Sequence, residues 1–144
     1  MPALFSLDHL EIFTNCYGGF GVAAAIKHAP TLGVRLNWDT ANVYYHNEGM
    51  QDGEAELARV AEYVAHLHLK DSRRGYHDWF FPALGEAGGV DFANVGRILK
   101  DAGFQGHFSI ELEGVRGEPE QTLEERQARL ERSVRHLRDV GMIA

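Results

Sequence analysis

The sequence predicts an α/β chain made of four strand–loop–helix units around a parallel sheet. Short apolar or alternating runs recur along the chain, and a polar or glycine-rich loop and then a helical pattern follow each one. This order is typical of parallel βαβ units. The chain has 144 residues, whereas a complete eight-stranded α/β barrel needs about 250. The four units therefore form either a small open sheet or half of a barrel.

The strands are predicted from their apolar or alternating residues, at 9–14, 34–38, 65–69 and 107–112. The helices are predicted at 22–28, 53–65, 91–102 and 118–140. Gly103 follows the third helix, where a glycine commonly ends a helix. In the last helix an apolar face is expected, with the charged residues forming a solvated outer face. That apolar face comprises Leu123, Leu130, Val134 and Leu137.

Composition narrows the class of protein. The apolar fraction is 44% and the charged fraction 24%, as in an ordinary soluble domain. The net charge of −7 argues against a nucleic-acid partner, because binding to the phosphate backbone relies on clustered lysine and arginine. The single cysteine, Cys16, forms no internal disulfide, and no obvious histidine accompanies it as in a thiol nucleophile. No stretch has the about 20 apolar residues of a membrane helix, so we expect a cytoplasmic protein without a membrane partner.

Ionisable side chains mark the ends of three successive predicted strands. They are Asp39 in "NWDTAN", His68 in "HLHLKD" and Glu111 in "IELEG". In parallel α/β folds the functional groups gather at the carboxyl ends of the strands. One such aspartate alone is more often a turn residue or a helix cap. Together the three are a mixed oxygen and nitrogen set suited to one divalent ion such as Mn, Zn, Co or Mg.

The two-residue period of a strand separates neighbouring candidates. His66 and His68 share one face, and His68 is the better metal candidate because it lies nearer the strand end. Glu111 lies within the apolar strand, where an unpaired carboxylate is costly, so it needs a cation or another partner. Glu113, beside Gly114, is expected to be solvated.

Three stretches carry a family resemblance: "GVRLNWDTANVYYHNEG", "HLHLKDSRRG" and "FPALGEAGGVDFANVGRILKDAGFQGHFSIELEG". Together they resemble the C-terminal half of the xylose isomerase-like TIM barrels, the sugar phosphate isomerase/epimerase superfamily. The resemblance covers residues 8–114, and the last helix fits the closing helix of the family. It implies a single partial domain over residues 1–144, made of about the last four βα units of a (β/α)8 barrel.

The resemblance also implies an activity. Such enzymes are divalent-metal-dependent isomerases, epimerases or related dehydratases, which transfer a proton beside the carbonyl of a sugar or polyol-derived substrate. Asp39, His68 and Glu111 resemble the metal ligands of the sixth, seventh and eighth barrel strands. The metal then acts as a Lewis acid, and Glu111 is both a ligand and an acid/base group.

Further roles follow from the same resemblance. Asn42 and Arg74 resemble residues that contact the substrate. Lys70 and Asp71 resemble a pair of loop residues in the family, whose roles are divided between substrate contact and structural pairing. We take Lys70 as catalytic and Asp71 as substrate-binding.

The chain departs from the family at its first strand, which should end in a glutamate ligand. The sequence there is "LEIFTNCYGG". Anchoring the comparison on the glycine pair places Asn15 or Thr14 at that position, and anchoring it on the spacing to Asp39 places Glu11 there. The first alignment is favoured, and under it one metal ligand and one acid/base group are missing.

The second departure is the absence of the first four barrel strands. A half-barrel exposes two sheet edges, which attract other strands unless they are covered. We therefore expect a homo-oligomer, unless the chain is a fragment of a longer protein. The alternative to an enzyme is a non-catalytic or degenerate half-barrel that binds a partner. An apurinic-site endonuclease is less favoured, because it needs more histidines at the strand ends.

Overall fold

The computed structural model of the protein describes residues 27, 35–45, 52–73, 80–114 and 119–144. Its sheet has three parallel strands in the order β1-β2-β3. They are β1 (Leu36–Asp39), β2 (Val64–Leu69) and β3 (His107–Ile110). The prediction of a parallel α/β fold is confirmed. The predicted first strand at 9–14 and all but residue 27 of the predicted first helix lie outside the described residues.

In the described chain, two α-helices lie between β1 and β2, α1 (Asn42–Tyr45) and α2 (Gly53–Val60); α3 (Phe92–Asp101) lies between β2 and β3, and α4 (Leu123–Asp139) follows β3. The sequence did not predict α1, a single turn directly after β1. The prediction that α2 runs to residue 65 is wrong, because a 3₁₀ turn at Ala61–Tyr63 follows it and β2 already begins at Val64.

The start of α4 is set by a capping box, and the predicted start at residue 118 is too early. The Thr122 hydroxyl accepts a hydrogen bond from the Glu125 N–H at 3.2 Å, and the Glu125 carboxylate accepts one from the Thr122 N–H at 2.7 Å. Each side chain thus satisfies a donor that the first turn leaves unpaired. At the end of α3, Gly103 adopts a φ of 69°, as predicted for a glycine that ends a helix.

The two faces of the sheet differ in chemistry. One face packs against the helices and forms a fully buried apolar core. This core includes Leu36, Trp38, Leu67 and Leu69 from the strands and Leu57, Val60, Phe92, Val95 and Leu137 from the helices. The opposite face carries polar side chains from alternate strand positions, since successive side chains of a strand point to opposite faces. Strand register therefore gathers the polar residues on one side of the sheet.

The buried face of α4 differs from the predicted apolar one. Leu137 is buried, but Leu123 is 79% exposed, and Arg129 and Ser133 are buried in its place. The reason is the loop that precedes α3. The Arg129 guanidinium donates to the Pro82 carbonyl at 3.3 Å, and the Ser133 hydroxyl accepts from the Leu84 N–H at 3.1 Å. The helix thus binds a polar loop backbone as well as the apolar core.

Within the described residues, β2 is the central strand, and the outer edges of β1 and β3 pair with no further strand. Phe108 of β3 is 38% exposed. Covering of these edges by a second copy stays a prediction. Of the helices in the described part of the chain, none is both long and apolar enough to span a membrane.

Candidate metal centre

Strand register brings three sequence-predicted residues together. Asp39 of β1 pairs with His68 of β2, and the Glu111 N–H donates to the Leu69 carbonyl at 2.9 Å, which places Glu111 at the end of β3. His68 Nδ1 lies 3.3 Å from Glu111 Oε2 and 3.9 Å from Asp39 Oδ2. The three donor atoms lie within 4.8 Å of one another. We call this group the Asp39–His68–Glu111 triangle.

The two oxygens of Asp39 have different environments. Oδ1 accepts hydrogen bonds from the backbone N–H groups of Ala41 at 2.9 Å and Asn42 at 2.8 Å. Oδ2 is buried and accepts no hydrogen bond, although the Lys70 ammonium lies 3.3 Å away. Asp39 is therefore a turn residue through one oxygen and a candidate ligand through the other.

Lys70 lies beside the triangle with its side chain almost fully buried. Its Nζ is 3.3 Å from Asp39 Oδ2, 3.0 Å from Glu111 Oε2 and 2.5 Å from Glu113 Oε2. Glu113, which we expected to be solvated, has a side chain that is 46% exposed and pairs with this lysine. Burial works to lower the pKa of Lys70, but Asp39 and the two glutamates outweigh it and raise that pKa above the usual value. Lys70 is therefore a fixed positive charge.

The two carboxyl groups of the triangle respond differently to this charge. Burial raises the pKa of Asp39 to about 6, against the charge of Lys70 and the two backbone N–H donors. Burial also acts to raise the pKa of Glu111, but the Lys70 ammonium, 3.0 Å from Glu111 Oε2, outweighs it, so that pKa falls below its usual value. Glu111 thus stays ionised where Asp39 takes up a proton.

The donor set fits a divalent cation. Asp39 Oδ2 and Glu111 Oε2 are both buried oxygens without a hydrogen bond, and buried polar atoms are rarely left so. When Asp39, Glu111 and Glu113 are ionised, they exceed the charge of Lys70 by two. Carboxylate oxygens and one imidazole nitrogen suit Mn, Zn or Co, and carboxylates also suit Mg.

Behind His68, on the same face of the sheet, a row of polar side chains crosses all three strands. Asn37 Nδ2 lies 3.4 Å from His68 Nε2, and Asn37 Oδ1 lies 2.9 Å from His66 Nδ1. His66 Nε2 is in turn 3.0 Å from the Ser109 hydroxyl. Sequence reasoning placed His66 and His68 on one strand face but missed Asn37. The signal available was its position two residues before Asp39, on the same strand face.

Thr40 joins the ends of β1 and β2. Its hydroxyl donates to the Lys70 carbonyl at 2.6 Å and accepts from the Lys70 N–H at 3.0 Å. The adjacent Asp39 and Lys70 side chains are held in place by this clamp. Sequence reasoning missed this residue too, although a threonine directly after a strand-end aspartate was visible in the text.

Asp71 has a structural environment. It is fully buried, and its carboxylate accepts backbone N–H groups from Gly85 at 2.9 Å and from Ala87, Gly88 and Gly89 at 3.2–3.3 Å. Burial raises the pKa of Asp71, and the four N–H donors act against that rise. Of the two roles expected for the Lys70–Asp71 pair, the geometry gives Asp71 the structural one.

Of the remaining predicted site residues, the structure describes only Asn42. Asn42 is half-buried beside Asp39 and donates its backbone N–H to it. Arg74 lies outside the described residues, and so do Glu11, Thr14 and Asn15, the alternatives for the first-strand ligand.

Comparison with known proteins agrees with this architecture. The fold is similar to that of D-psicose 3-epimerase from Clostridium cellulolyticum H10, solved with D-tagatose, with a TM-score of 0.53 and 17% sequence identity. The match covers 85% of this chain and 48% of the epimerase chain, so this chain spans about half the length of that protein. No curated protein is significantly similar in sequence. The sequence model of one family matches residues 16–140, which is most of the chain. The chain belongs to the xylose isomerase-like TIM barrel family and forms part of such a barrel.

Proposed function

We propose that the chain binds one divalent metal ion through Asp39 Oδ2, His68 Nδ1 and Glu111 Oε2. The site would serve an isomerase or epimerase reaction, or a related dehydration, by proton transfer beside the carbonyl of a sugar or polyol-derived substrate. The observation that carries the proposal is the pair of buried carboxylate oxygens that accept no hydrogen bond and face one imidazole nitrogen.

The residues of the triangle take different parts in this chemistry. A divalent ion bound there supplies a Lewis acid that polarises the substrate carbonyl and acidifies the neighbouring C–H. Glu111 has a side chain that is 33% exposed and a lowered pKa, so it is the ionised carboxylate that faces the open side and accepts a proton. Asp39 is 1% exposed and serves only as a ligand.

Lys70 acts through the carboxylates. Its side chain is 1% exposed and its ammonium is surrounded by three of them, so we assign it charge balance and positioning of Glu111 and Asp39. We keep Asn42 and Arg74 as proposed substrate contacts and give Asp71 a structural role. The similarity to an epimerase solved with D-tagatose supports a ketose as the substrate class.

A matched pair of glutamine variants tests the metal site. Glu111→Gln removes a charge together with a ligand atom, whereas Glu113→Gln removes the same charge beside Lys70 and leaves the triangle intact. Calorimetric titration with Mn²⁺, Co²⁺ and Zn²⁺ should show one ion per wild-type chain. We expect Glu111→Gln to weaken binding by more than about 100-fold, beyond the about 10–100-fold typical of changes outside the ligand shell, and Glu113→Gln by less than about tenfold. Equal losses in the two variants would contradict the ligand assignment.

Deuterium exchange tests the chemistry separately from binding. The metal-loaded chain is incubated with D-tagatose or D-psicose in D₂O, and exchange at the carbon beside the carbonyl is followed by proton NMR. Exchange that Glu111→Gln abolishes would support the enzyme. Metal binding without exchange on a range of ketoses would favour the alternative, a non-catalytic half-barrel.

A further inference from the structure

The contacts of the polar row behind His68 fit one hydrogen-bond direction. Asn37 is 4% exposed, and its amide lies between the rings of His68 and His66. With Nδ2 donating to His68 Nε2, a neutral His68 carries its hydrogen on Nδ1, where it points toward Glu111 Oε2 at 3.3 Å. Asn37 Oδ1 then accepts from His66 Nδ1–H, and His66 Nε2 accepts from the Ser109 hydroxyl.

This direction is incompatible with a metal on His68 Nδ1. Coordination uses the Nδ1 lone pair, so the single hydrogen of a neutral ring must sit on Nε2. Nε2–H would then face the Asn37 NH₂ group across 3.4 Å, with two donors opposed and no acceptor between them. Rotation of the amide about its last bond removes the conflict, because the oxygen and nitrogen of an asparagine side chain occupy nearly the same volume.

We propose that Asn37 is a positioning residue that selects the tautomer of His68, and that metal binding reverses the hydrogen-bond direction of the whole Asn37–His66–Ser109 row. The inference rests on the metal site of the proposed function. After reversal, His68 Nε2–H donates to Asn37 Oδ1, Asn37 Nδ2 donates to His66 Nδ1, and His66 Nε2–H donates to the Ser109 hydroxyl. Each ring keeps one hydrogen throughout, so the reversal neither takes up nor releases a proton.

The end of the row makes the reversal inexpensive. Ser109 is exposed, and its hydroxyl can either donate or accept a hydrogen bond. It can therefore bond to His66 before and after the reversal, with water as its other partner. Asn37, by contrast, is buried and must satisfy both rings at once. Hydrogen bonds to the second nitrogen of a metal-binding histidine fix its orientation and tautomer, and their loss typically lowers metal affinity by about 10–100-fold.

Nitrogen NMR of ¹⁵N-labelled histidine tests the tautomers directly, at a mildly alkaline pH above the ordinary histidine pKa of about 6.5. The His68 signals are assigned from their absence in His68→Gln. Metal-free wild type should show the Nδ1–H tautomer at His68, and Asn37→Asp, which offers only acceptors, should show Nε2–H. Zn²⁺ added to wild type should move the hydrogen to Nε2 on both rings. A metal-free wild type already in the Nε2–H form, or the same tautomer in wild type and Asn37→Asp, would overturn the inference.

Zinc affinities complete the test and separate the two proposals. Asn37→Leu should bind Zn²⁺ about 10–100-fold more weakly than wild type, and Asn37→Asp should recover most of that loss. Ser109→Ala should change affinity by less than about threefold, since water replaces an exposed hydroxyl. Asn37→Leu with wild-type affinity would refute the role of Asn37 and leave the metal site standing. If zinc leaves the His68 signals unchanged, the metal site is refuted. The comparison of metal-free wild type with Asn37→Asp would then still show whether Asn37 selects the His68 tautomer.

Discussion

Asp39 and Asp71 are both buried aspartates at the carboxyl ends of parallel strands, yet their carboxylates are used in opposite ways. Asp71 accepts four backbone N–H groups, from Gly85 and residues 87–89, with both of its oxygens. Asp39 accepts two, both on Oδ1, and its Oδ2 faces His68, Lys70 and Glu111 without a hydrogen bond. A buried carboxylate whose oxygens are filled by the backbone holds a loop, whereas one with an oxygen left over is available to a ligand.

The contrast is largest in folding stability. Asp71→Ala removes the acceptor of four backbone N–H groups in the loop at 85–89. Because unsatisfied buried donors are costly, we expect the free energy of unfolding in urea to fall by about 3–5 kcal/mol. Near pH 4, where wild-type Asp39 is protonated, Asp39→Asn keeps the Oδ1 acceptor and should change the free energy of unfolding by less than about 1 kcal/mol. Equal losses in the two variants would show that Asp71 does not organise the loop.

In metal binding, unlike in folding stability, we expect the larger effect at Asp39. Asp39→Asn replaces the free Oδ2 or its partner oxygen by an NH₂ group, which is no metal ligand. We expect Zn²⁺ affinity to fall by more than about 100-fold, exceeding the loss typical of residues outside the ligand shell. The exposed variant Glu86→Gln, whose carboxylate pairs with Arg132 far along the chain, serves as a charge control and should bind as wild type does. A comparable loss in the control would point to bulk charge and away from coordination.

The raised pKa of Asp39 gives a third difference, in the pH dependence of the metal-free chain. Since the folded-state pKa of about 6 lies above the ordinary value of 3.8, the stabilisation from protonated Asp39 is complete below pH 3.8 and is lost as pH rises through about 6. The free energy of unfolding of wild type relative to Asp39→Asn should therefore fall across this window, by on the order of 2–3 kcal/mol. Urea unfolding at several pH values measures it. A difference that does not change with pH would contradict the buried, proton-binding carboxyl.

The fold could be predicted from local sequence patterns, but the different roles of Asp39 and Asp71 could not. The alternation within β2 and the glycine at the end of α3 depend only on neighbouring residues, so the sequence predicts both. The role of Asp71 depends on a loop 14 to 18 residues further on, and no local signal links the two. The polar buried face of α4 likewise depends on the loop carbonyl of Pro82 and the N–H of Leu84.

The candidate site was predictable to the extent that it depends on strand ends. Parallel strands bring their carboxyl ends to one edge, so Asp39, His68 and Glu111 were expected to be neighbours, and their donor atoms do lie close together. The supporting residues were missed because their roles depend on side-chain direction across strands. Asn37 reaches His66 and His68 on the next strand, and Thr40 reaches the Lys70 backbone.

The smallest effect is expected at Thr40, whose hydroxyl binds the Lys70 backbone next to the Asp39 and Lys70 side chains. Thr40→Val keeps the shape but removes one donated and one accepted hydrogen bond, at 2.6 and 3.0 Å. The loss should cost about 1–2 kcal/mol of unfolding free energy, and it should weaken Zn²⁺ binding only a few-fold, since no ligand atom is removed. Thr40→Ser retains the hydroxyl and should restore both values. If valine and serine behave alike in urea unfolding and in zinc titration, the clamp does not position the site, and the register of β1 and β2 alone suffices to keep the Asp39 oxygen facing His68.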